Sequence, residues 1–392
     1  MSRTELMQEV RMMRFDEAYV DWKSGKITQE TAARLLGVSD RTFRRYKPRY
    51  EAEGLRGLND RRLGQASHRR ASEAEVGELT ELYSKRYEGF NSKHFHSWYR
   101  REHQGKRSYT WVKSALQGAG LVRKSAKKGA HRKKRPRAPY IGMLLHQDGS
   151  RHEWVPGKLW DLIVTMDDAT SEHYSMFFVT EEGTASSFKG VSGVILRHGL
   201  FASLYTDRGS HYWHTPEAGG KVDKTALTQF GRAMRQLGIE MIPAYSPEAR
   251  GRSERAFSTH QDRLVKELRA AGIEDMERAN NYIRTVYMPA HNVEFAVSPT
   301  EPKSVFVPWA GGLIEDILCE QYERTVGNDN CVRFDAKTLQ IPADRYRFNY
   351  VKVKVRVHRY SSGGIAVFHG HRKLATYDTK GKEIVKEIHH AA

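Results

Sequence analysis

Leu144-Leu145-His146-Gln147-Asp148-Gly149-Ser150 is an apolar run that ends on an acid and turn-forming residues, and Leu204-Tyr205-Thr206-Asp207-Arg208-Gly209-Ser210 repeats the figure. Each reads as a strand delivering an aspartate to the end of a sheet. Working outward, apolar runs predict strands over 141–148, 159–167, 172–179, 201–206 and 239–244, and helices near 185–198, 225–237 and 247–271. Three adjacent strands, read as antiparallel hairpins, followed by alternating helix and strand make a mixed α/β sheet with helices on its faces.

A third acid lies in Ser246-Pro247-Glu248-Ala249-Arg250-Gly251-Arg252-Ser253-Glu254-Arg255, at a helix start. With Phe257, Leu264 and Leu268 as the inward face, Glu254 sits about 60° from Phe257 and Glu248 about 180° away. Glu254 is therefore expected to border the sheet. Glu248, in the first turn after Pro247, is explained by the helix dipole. Asp167 and Asp168 also follow an apolar strand and compete with Asp148; an Asx turn is their structural explanation.

The charge is concentrated. Of 65 Lys and Arg and 47 Asp and Glu, residues 1–140 hold 33 and 16, a net +17, which leaves +1 for the rest. The first third is built to meet a polyanion. A membrane surface is disfavoured, since no lipidation motif or strongly apolar basic helix accompanies the charge. From Ile27 to Tyr46 the spacing predicts a helix-turn-helix: Thr28 caps a helix burying Ala32, Leu35 and Leu36, Gly37 supplies the turn, and Ser39 caps a second helix. Phe43 and Tyr46 face inward on that helix, and Arg41, Thr42, Arg44 and Arg45 face outward as candidate DNA contacts. A second helical region, 72–121, reads as another helix-turn-helix; its His94, His96 and His103 lack companions at metal-ligand spacing and are expected at the surface or facing DNA. Residues 122–140 hold nine Lys and Arg and no acid, a linker in which Arg123, Lys124, Lys127, Lys128, Arg132, Lys133, Lys134 and Arg135 are candidate phosphate contacts.

The three acids, in this order and on these elements, resemble the DDE transposases and retroviral integrases of RNase H-like fold, in particular insertion-sequence transposases of the ISNCY type. The resemblance spans the whole chain. It implies that Asp148, Asp207 and Glu254 are both the catalytic residues and the metal ligands, with 47 residues between the last two. Two Mg²⁺ ions per site, replaceable by Mn²⁺, are the implied cofactors. Hard carboxylate ligands suit Mg²⁺, and a pair of such ions serves both the attacking oxygen and the leaving 3′ oxygen of a phosphodiester. No nucleophile elbow, Walker loop or dinucleotide fingerprint offers a rival chemistry. Arg208, Arg250, Arg252 and Arg255 crowd the acids and are candidate DNA contacts.

The expected organisation is a helix-turn-helix domain over 1–65, a second helical DNA-binding domain over 66–121, the linker 122–140, a catalytic core with helical extension over 141–325, and a small β-barrel with tail over 326–392. In the barrel, Tyr350 to Val357 alternate strictly. Two cysteines, no export signal and no long apolar run lead to the expectation of a reducing cytoplasm, and the resemblance implies a bacterial one, at the nucleoid. The partners that the resemblance implies are double-stranded DNA, both element termini and target, and further copies of itself in a synaptic complex. A DNA-binding regulator with an inactive transposase-derived core, or a nuclease that does not rejoin, are the alternatives.

Overall fold

Thr28 and Ser39 each open a helix in the way their hydroxyls allow: Thr28 Oγ1 accepts from the Thr31 amide at 3.1 Å and Ser39 Oγ from the Thr42 amide at 3.2 Å. The structure is a computed structural model that describes residues 3–59, 71–124, 135–217, 220–245, 247–343 and 346–384, and it divides into two units, Met1–Glu78 and Leu79–Ala392. In the first unit, helices α2 (Gln29–Leu35) and α3 (Asp40–Glu53) meet at Gly37, whose φ of +64° is the turn conformation that glycine tolerates. Ahead of them lies α1 (Arg3–Lys23), which the sequence reading missed because its apolar anchors are sparse among charges. Its Phe15, Ala18 and Tyr19 close over Ala32, Ala33 and Phe43. Each such buried ring contributes about 1.5–3 kcal/mol.

The second unit begins within α4 (Glu73–Arg86), followed by α5 (Ser92–Glu102) and α6 (Tyr109–Gly118). Asn91 and Ser108 cap the last two, and Tyr83, Tyr87, Phe95, Trp98 and Leu116 form the shared core. Next comes a five-stranded sheet of β1 (Leu144–Val155), β2 (Lys158–Asp167), β3 (His173–Val179), β4 (Ser203–Thr206) and β5 (Glu240–Pro243), in the order β3-β2-β1-β4-β5. The first three strands are antiparallel, and β4 and β5 run parallel to β1. The strand expected to end at Asp148 continues to Val155. Asp-Gly-Ser looks like a turn, yet each of these residues pairs with β2, and the chain reverses instead near Gly157, at φ +75°.

Side-chain alternation sorts the sheet into two faces. Leu145 joins the core beneath α7 (Thr184–His198) and α8 (Gln229–Gln236). Leu162, Val164 and Met166 instead pack against α9 (Pro247–Ala270), α10 (Met276–Tyr282) and α11 (Met288–Phe295). Helix α7 sits close because Gly190 leaves room: a Cβ there would lie 2.9 Å from Gln147 Oε1 and 3.1 Å from Thr165 Oγ1.

The C-terminal strands depart from expectation. β6 (Glu320–Thr325), β9 (Lys354–Arg359), β10 (Ile365–His369) and β11 (Arg372–Tyr377) form an antiparallel sheet in the order β11-β10-β9-β6, beside a hairpin of β7 (Cys331–Phe334) and β8 (Lys337–Gln340). Among the described residues no ladder joins β11 to β6, so the sheet is open and the expected closed barrel is not found. The alternating stretch that suggested a long strand breaks at Lys352, φ +59°, and pairing starts only at Lys354. Polar β6, read from sequence as helix or loop, is held as a strand by cross-strand pairs, Glu323 to Lys354 at 2.7 Å and Glu320 to Arg359. No described helix is long and apolar enough to cross a membrane.

Candidate active site

His146 pairs with Tyr205 in the last step of the β1–β4 ladder, and two residues farther along each strand stand Asp148 and Asp207. Adjacent strands lie about 4.8 Å apart, so equal register brings Asp148 and Asp207 to the same end of the sheet, where β1 and β4 part. They share a face. Asp148 is opposite Val164, which packs beneath α9, and Asp207 alternates with Thr206, whose hydroxyl turns the other way to Trp213 Nε1 at 2.9 Å. Asp148 is buried and accepts from the Gly149 amide at 3.1 Å; Asp207 is half-buried and accepts from the Gly209 amide at 2.9 Å.

Helix α9 crosses this face. Phe257 enters its core and Gln261 Nε2 donates to Ser150 Oγ at 3.0 Å. Glu254 lies seven residues before Gln261 on the same stripe, about 10 Å up the helix, and is exposed. The side chains of Glu248 and Arg250 lie outside the described residues, as do Lys127, Lys128, Arg132, Lys133 and Lys134. The three named acids do not close into one cluster. Among the described residues the one group of three potential ligands within 4.8 Å of one another is His173, His260 and His291.

Asp167 and Asp168 part company. Asp167 accepts from the Thr170 amide at 2.9 Å, its hydroxyl at 3.0 Å and the Gly142 amide at 3.1 Å, an Asx-type turn. Burial raises its carboxyl above the ordinary value. Asp168, fully buried, is the hub of a network that sequence reasoning missed. Its carboxylate takes His146 Nε2 at 2.7 Å, the Ala138 amide at 2.7 Å, and the guanidinium groups of Arg135 and Arg252. Burial alone would raise this carboxyl, but the hydrogen bonds from His146 and Ala138 and the charge of Arg252 hold it well below the usual carboxylate range. The linker end is thus fastened to the core, and α9 to the linker, since Arg252 also donates to the Arg135 carbonyl at 2.6 Å. The signal available in sequence was a second acid where the turn needed one.

Glu182 and His211 also went unread. The Glu182 carboxylate lies against Gly149, where a Cβ would stand 2.2 Å from it, and is 3.5 Å from His211 Nε2. His94, expected at the surface, is buried and bonded to Glu267 at 2.8 Å. Desolvation lowers the pKa of its imidazole, while the hydrogen bonds from His94 and Tyr282 hold the Glu267 carboxyl below its ordinary value.

The remaining cations differ in their surroundings. Arg208 donates to the Gly220 carbonyl at 2.9 Å and covers the Tyr245 ring; Arg255, Arg123 and Lys124 are exposed. On α3, Arg44 is ion-paired with Asp40 one turn earlier, whereas exposed Arg41 and Arg45 pair with no acid among the described residues, and Thr42 is half-buried at the cap. Replacing Arg41 and Arg45 together with Ala is expected to weaken duplex binding by the full chain and flatten the salt dependence by about one unit of slope per lost phosphate contact. Binding titrations over a range of salt concentrations check this, and an unchanged slope contradicts it.

Comparison with known proteins agrees with a DNA-handling chain. The family described as Winged helix-turn helix matches residues 18–76, the stretch that holds α2 and α3 of the N-terminal unit. Among curated proteins, the chain is 28% identical over 349 residues to "Putative transposase y4bF" of Sinorhizobium fredii (strain NBRC 101917 / NGR234), covering 88% of this chain and 75% of that one. It is 29% identical over 234 residues to "Transposase for insertion sequence IS1202" of Streptococcus pneumoniae, covering 59% of this chain but only half of that protein. A solved structure of a simian T-cell lymphotropic virus intasome with PP2A regulatory subunit B56 gamma overlaps 79% of this chain and 99% of its own at 14% identity and TM-score 0.33. The HTLV-2 integrase catalytic core domain in complex with magnesium overlaps 38% of this chain and 87% of its own at 15% identity and TM-score 0.30.

Proposed function

We propose that the protein is a DDE transposase of the ISNCY type that binds the terminal inverted repeats of its element and cuts and joins DNA. The observation that carries this is the placement of Asp148 and Asp207 at equal register on the sheet face crossed by the helix of Glu254. The strand order β3-β2-β1-β4-β5, three antiparallel then two parallel, supports an RNase H-like core. Carboxylate oxygens are the donors Mg²⁺ prefers, so Asp148, Asp207 and Glu254 would hold two such ions. When bound, the ions supply activation of the attacking oxygen and stabilisation of the leaving 3′ oxygen. The chain's own contribution is positional. The amides of Gly149 and Gly209 orient the two aspartates, and the Asp168 network anchors the start of α9 beside them. DNA would be gripped by Arg41, Thr42, Arg44, Arg45 and the basic linker, with Arg208, Arg250, Arg252 and Arg255 near the acids.

The test is incubation of the full chain with duplexes ending in the element's termini, with Mg²⁺ or Mn²⁺. Nicking at the 3′ end and joining to target are expected. A second reading, a DNA-binding regulator with an inactive core, draws on the exposed and unclustered Glu254. Tight binding without any cleavage would establish it, and cleavage without joining would make the protein a nuclease. The active form is proposed to hold at least two protomers on two DNA ends in the bacterial cytoplasm. Mass measurement of the competent complex checks this, and a monomer on one end contradicts it.

A further inference from the structure

His173 on β3, His260 on α9 and His291 on α11 converge within the core, 2%, 0% and 7% exposed. Their ring centroids form a nearly equilateral triangle of 5.0, 4.5 and 4.7 Å, and their ligand nitrogens lie within 4.8 Å of one another. Three imidazoles are seldom buried together without a reason, and hydrogen bonding explains only two of them. His173 Nδ1 is 3.1 Å from the Ser171 carbonyl. A carbonyl can only accept, so Nδ1 carries the proton and Nε2 presents a lone pair. That Nε2 is 2.9 Å from His260 Nε2, and His260 Nδ1 is 2.9 Å from the Tyr287 hydroxyl. Tyr287 can therefore donate to His260, and His260 to His173. His291 is left over: its Nδ1 is buried without a hydrogen-bond partner, a state that costs free energy unless something else satisfies the ring.

We propose that His173, His260 and His291 bind one transition-metal ion of the Zn²⁺ class, in a site separate from the carboxylates. Neutral imidazoles are ligands for such ions, whereas Mg²⁺ selects oxygen. Desolvation lowers all three basicities, His173 to about 4, His291 to about 2 and His260 well below the ordinary value, so each ring keeps a lone pair at neutral pH. The neighbouring Arg263 is matched by Glu294 through contacts of 2.8 and 3.0 Å. Tetrahedral ligation at about 2.0–2.1 Å sets ligand nitrogens about 3.3 Å apart, so the His173–His260 pair needs to open by a few tenths of an ångström. His260 then carries its proton on Nδ1 and donates to Tyr287. The Ser171 carbonyl and the Tyr287 oxygen become the outer partners that orient ligating imidazoles. Entry is available, because His291 and Tyr287 line a cavity of about 490 Å³ together with Lys93, Arg263 and Glu294.

Such an ion would pin α9 to β3 and α11 six residues after Glu254. The experiment uses the full chain, stripped with chelator, loaded with Zn²⁺ or Co²⁺ and dialysed. One ion per chain by elemental mass spectrometry, tetrahedral ligand-field bands with Co²⁺, and a thermal midpoint raised by Zn²⁺ are expected. His291→Phe is the informative variant, since His291 makes no hydrogen bond among the described residues and the Tyr287–His260–His173 chain survives its loss. It should fold, hold no ion and show no Zn²⁺-dependent midpoint. A wild-type chain that retains only a small fraction of an ion, or a His291→Phe chain that retains as much as wild type, overturns the proposal. None of these readouts depends on DNA cleavage, so the result stands apart from the transposase reading.

Discussion

Glu254→Gln, Asp148→Asn and Asp207→Asn are each expected to lower DNA cleavage and joining about a thousandfold or more while leaving binding to terminal DNA near wild type. An amide keeps the size of each side chain and removes the charge that would hold Mg²⁺. Losing about 4 kcal/mol of transition-state stabilisation gives that factor. Binding is spared because the phosphate contacts are assigned to the N-terminal unit and linker. Two companions make the test specific. Glu248→Gln, argued from helix periodicity alone, should leave the chemistry intact. Glu182→Gln asks whether the carboxylate against Gly149 on the α7 side of the strand takes part; near-normal activity is expected. If either companion abolishes joining and Glu254→Gln does not, the third ligand is misassigned. Matching thermal melts exclude misfolding, and single-turnover assays on labelled duplexes read the rates.

Asp168→Ala should destabilise the Leu79–Ala392 unit by about 3–5 kcal/mol, the range found when one member of a buried ion pair is removed. The lost carboxylate leaves His146 buried without its hydrogen-bond partner at 2.7 Å and Arg252, 15% exposed, without its counter-charge. Arg135 is a third exposed, and water screens its share. Because folding holds this carboxyl below its ordinary value, the stabilisation is present above pH ~4 and is lost as pH falls below it, where the unfolded chain takes up the proton first. Urea melts at neutral and acid pH measure both effects. A loss under about 1 kcal/mol at neutral pH would show that the hub is dispensable.

The sequence made the strand and helix order of the core readable because apolar runs and Gly or Pro breaks coincide there with real element ends. The helix-turn-helix was equally plain, through Thr28, Gly37 and Ser39. The misses share a cause: partners distant in sequence. Asp148-Gly149-Ser150 reads as a turn until β2 is set beside it, and polar β6 becomes a strand only through charges on β9. Asp168 gave no hint that it would gather Arg135, His146 and Arg252, and the three histidines of the buried triangle are spread over 119 positions.

Among the described residues, hydrogen bonds join the helical segment after Leu79 to the helices over the sheet: Asn91 to Asp262 at 2.7 Å, His94 to Glu267 at 2.8 Å, Ser97 to Glu294 at 3.2 Å, and Arg269 to the Glu88 carbonyl. A module hung on a strap can swivel without disturbing its neighbour, but one riveted at several points along the same shaft cannot. If a bound duplex were to load α5, as the proposed second DNA-binding domain would require, that load would pass into α9 as torque, and α9 carries Glu254 at its other end. In this protein the seating of that helical segment and the aim of a candidate catalytic carboxylate are one mechanical element.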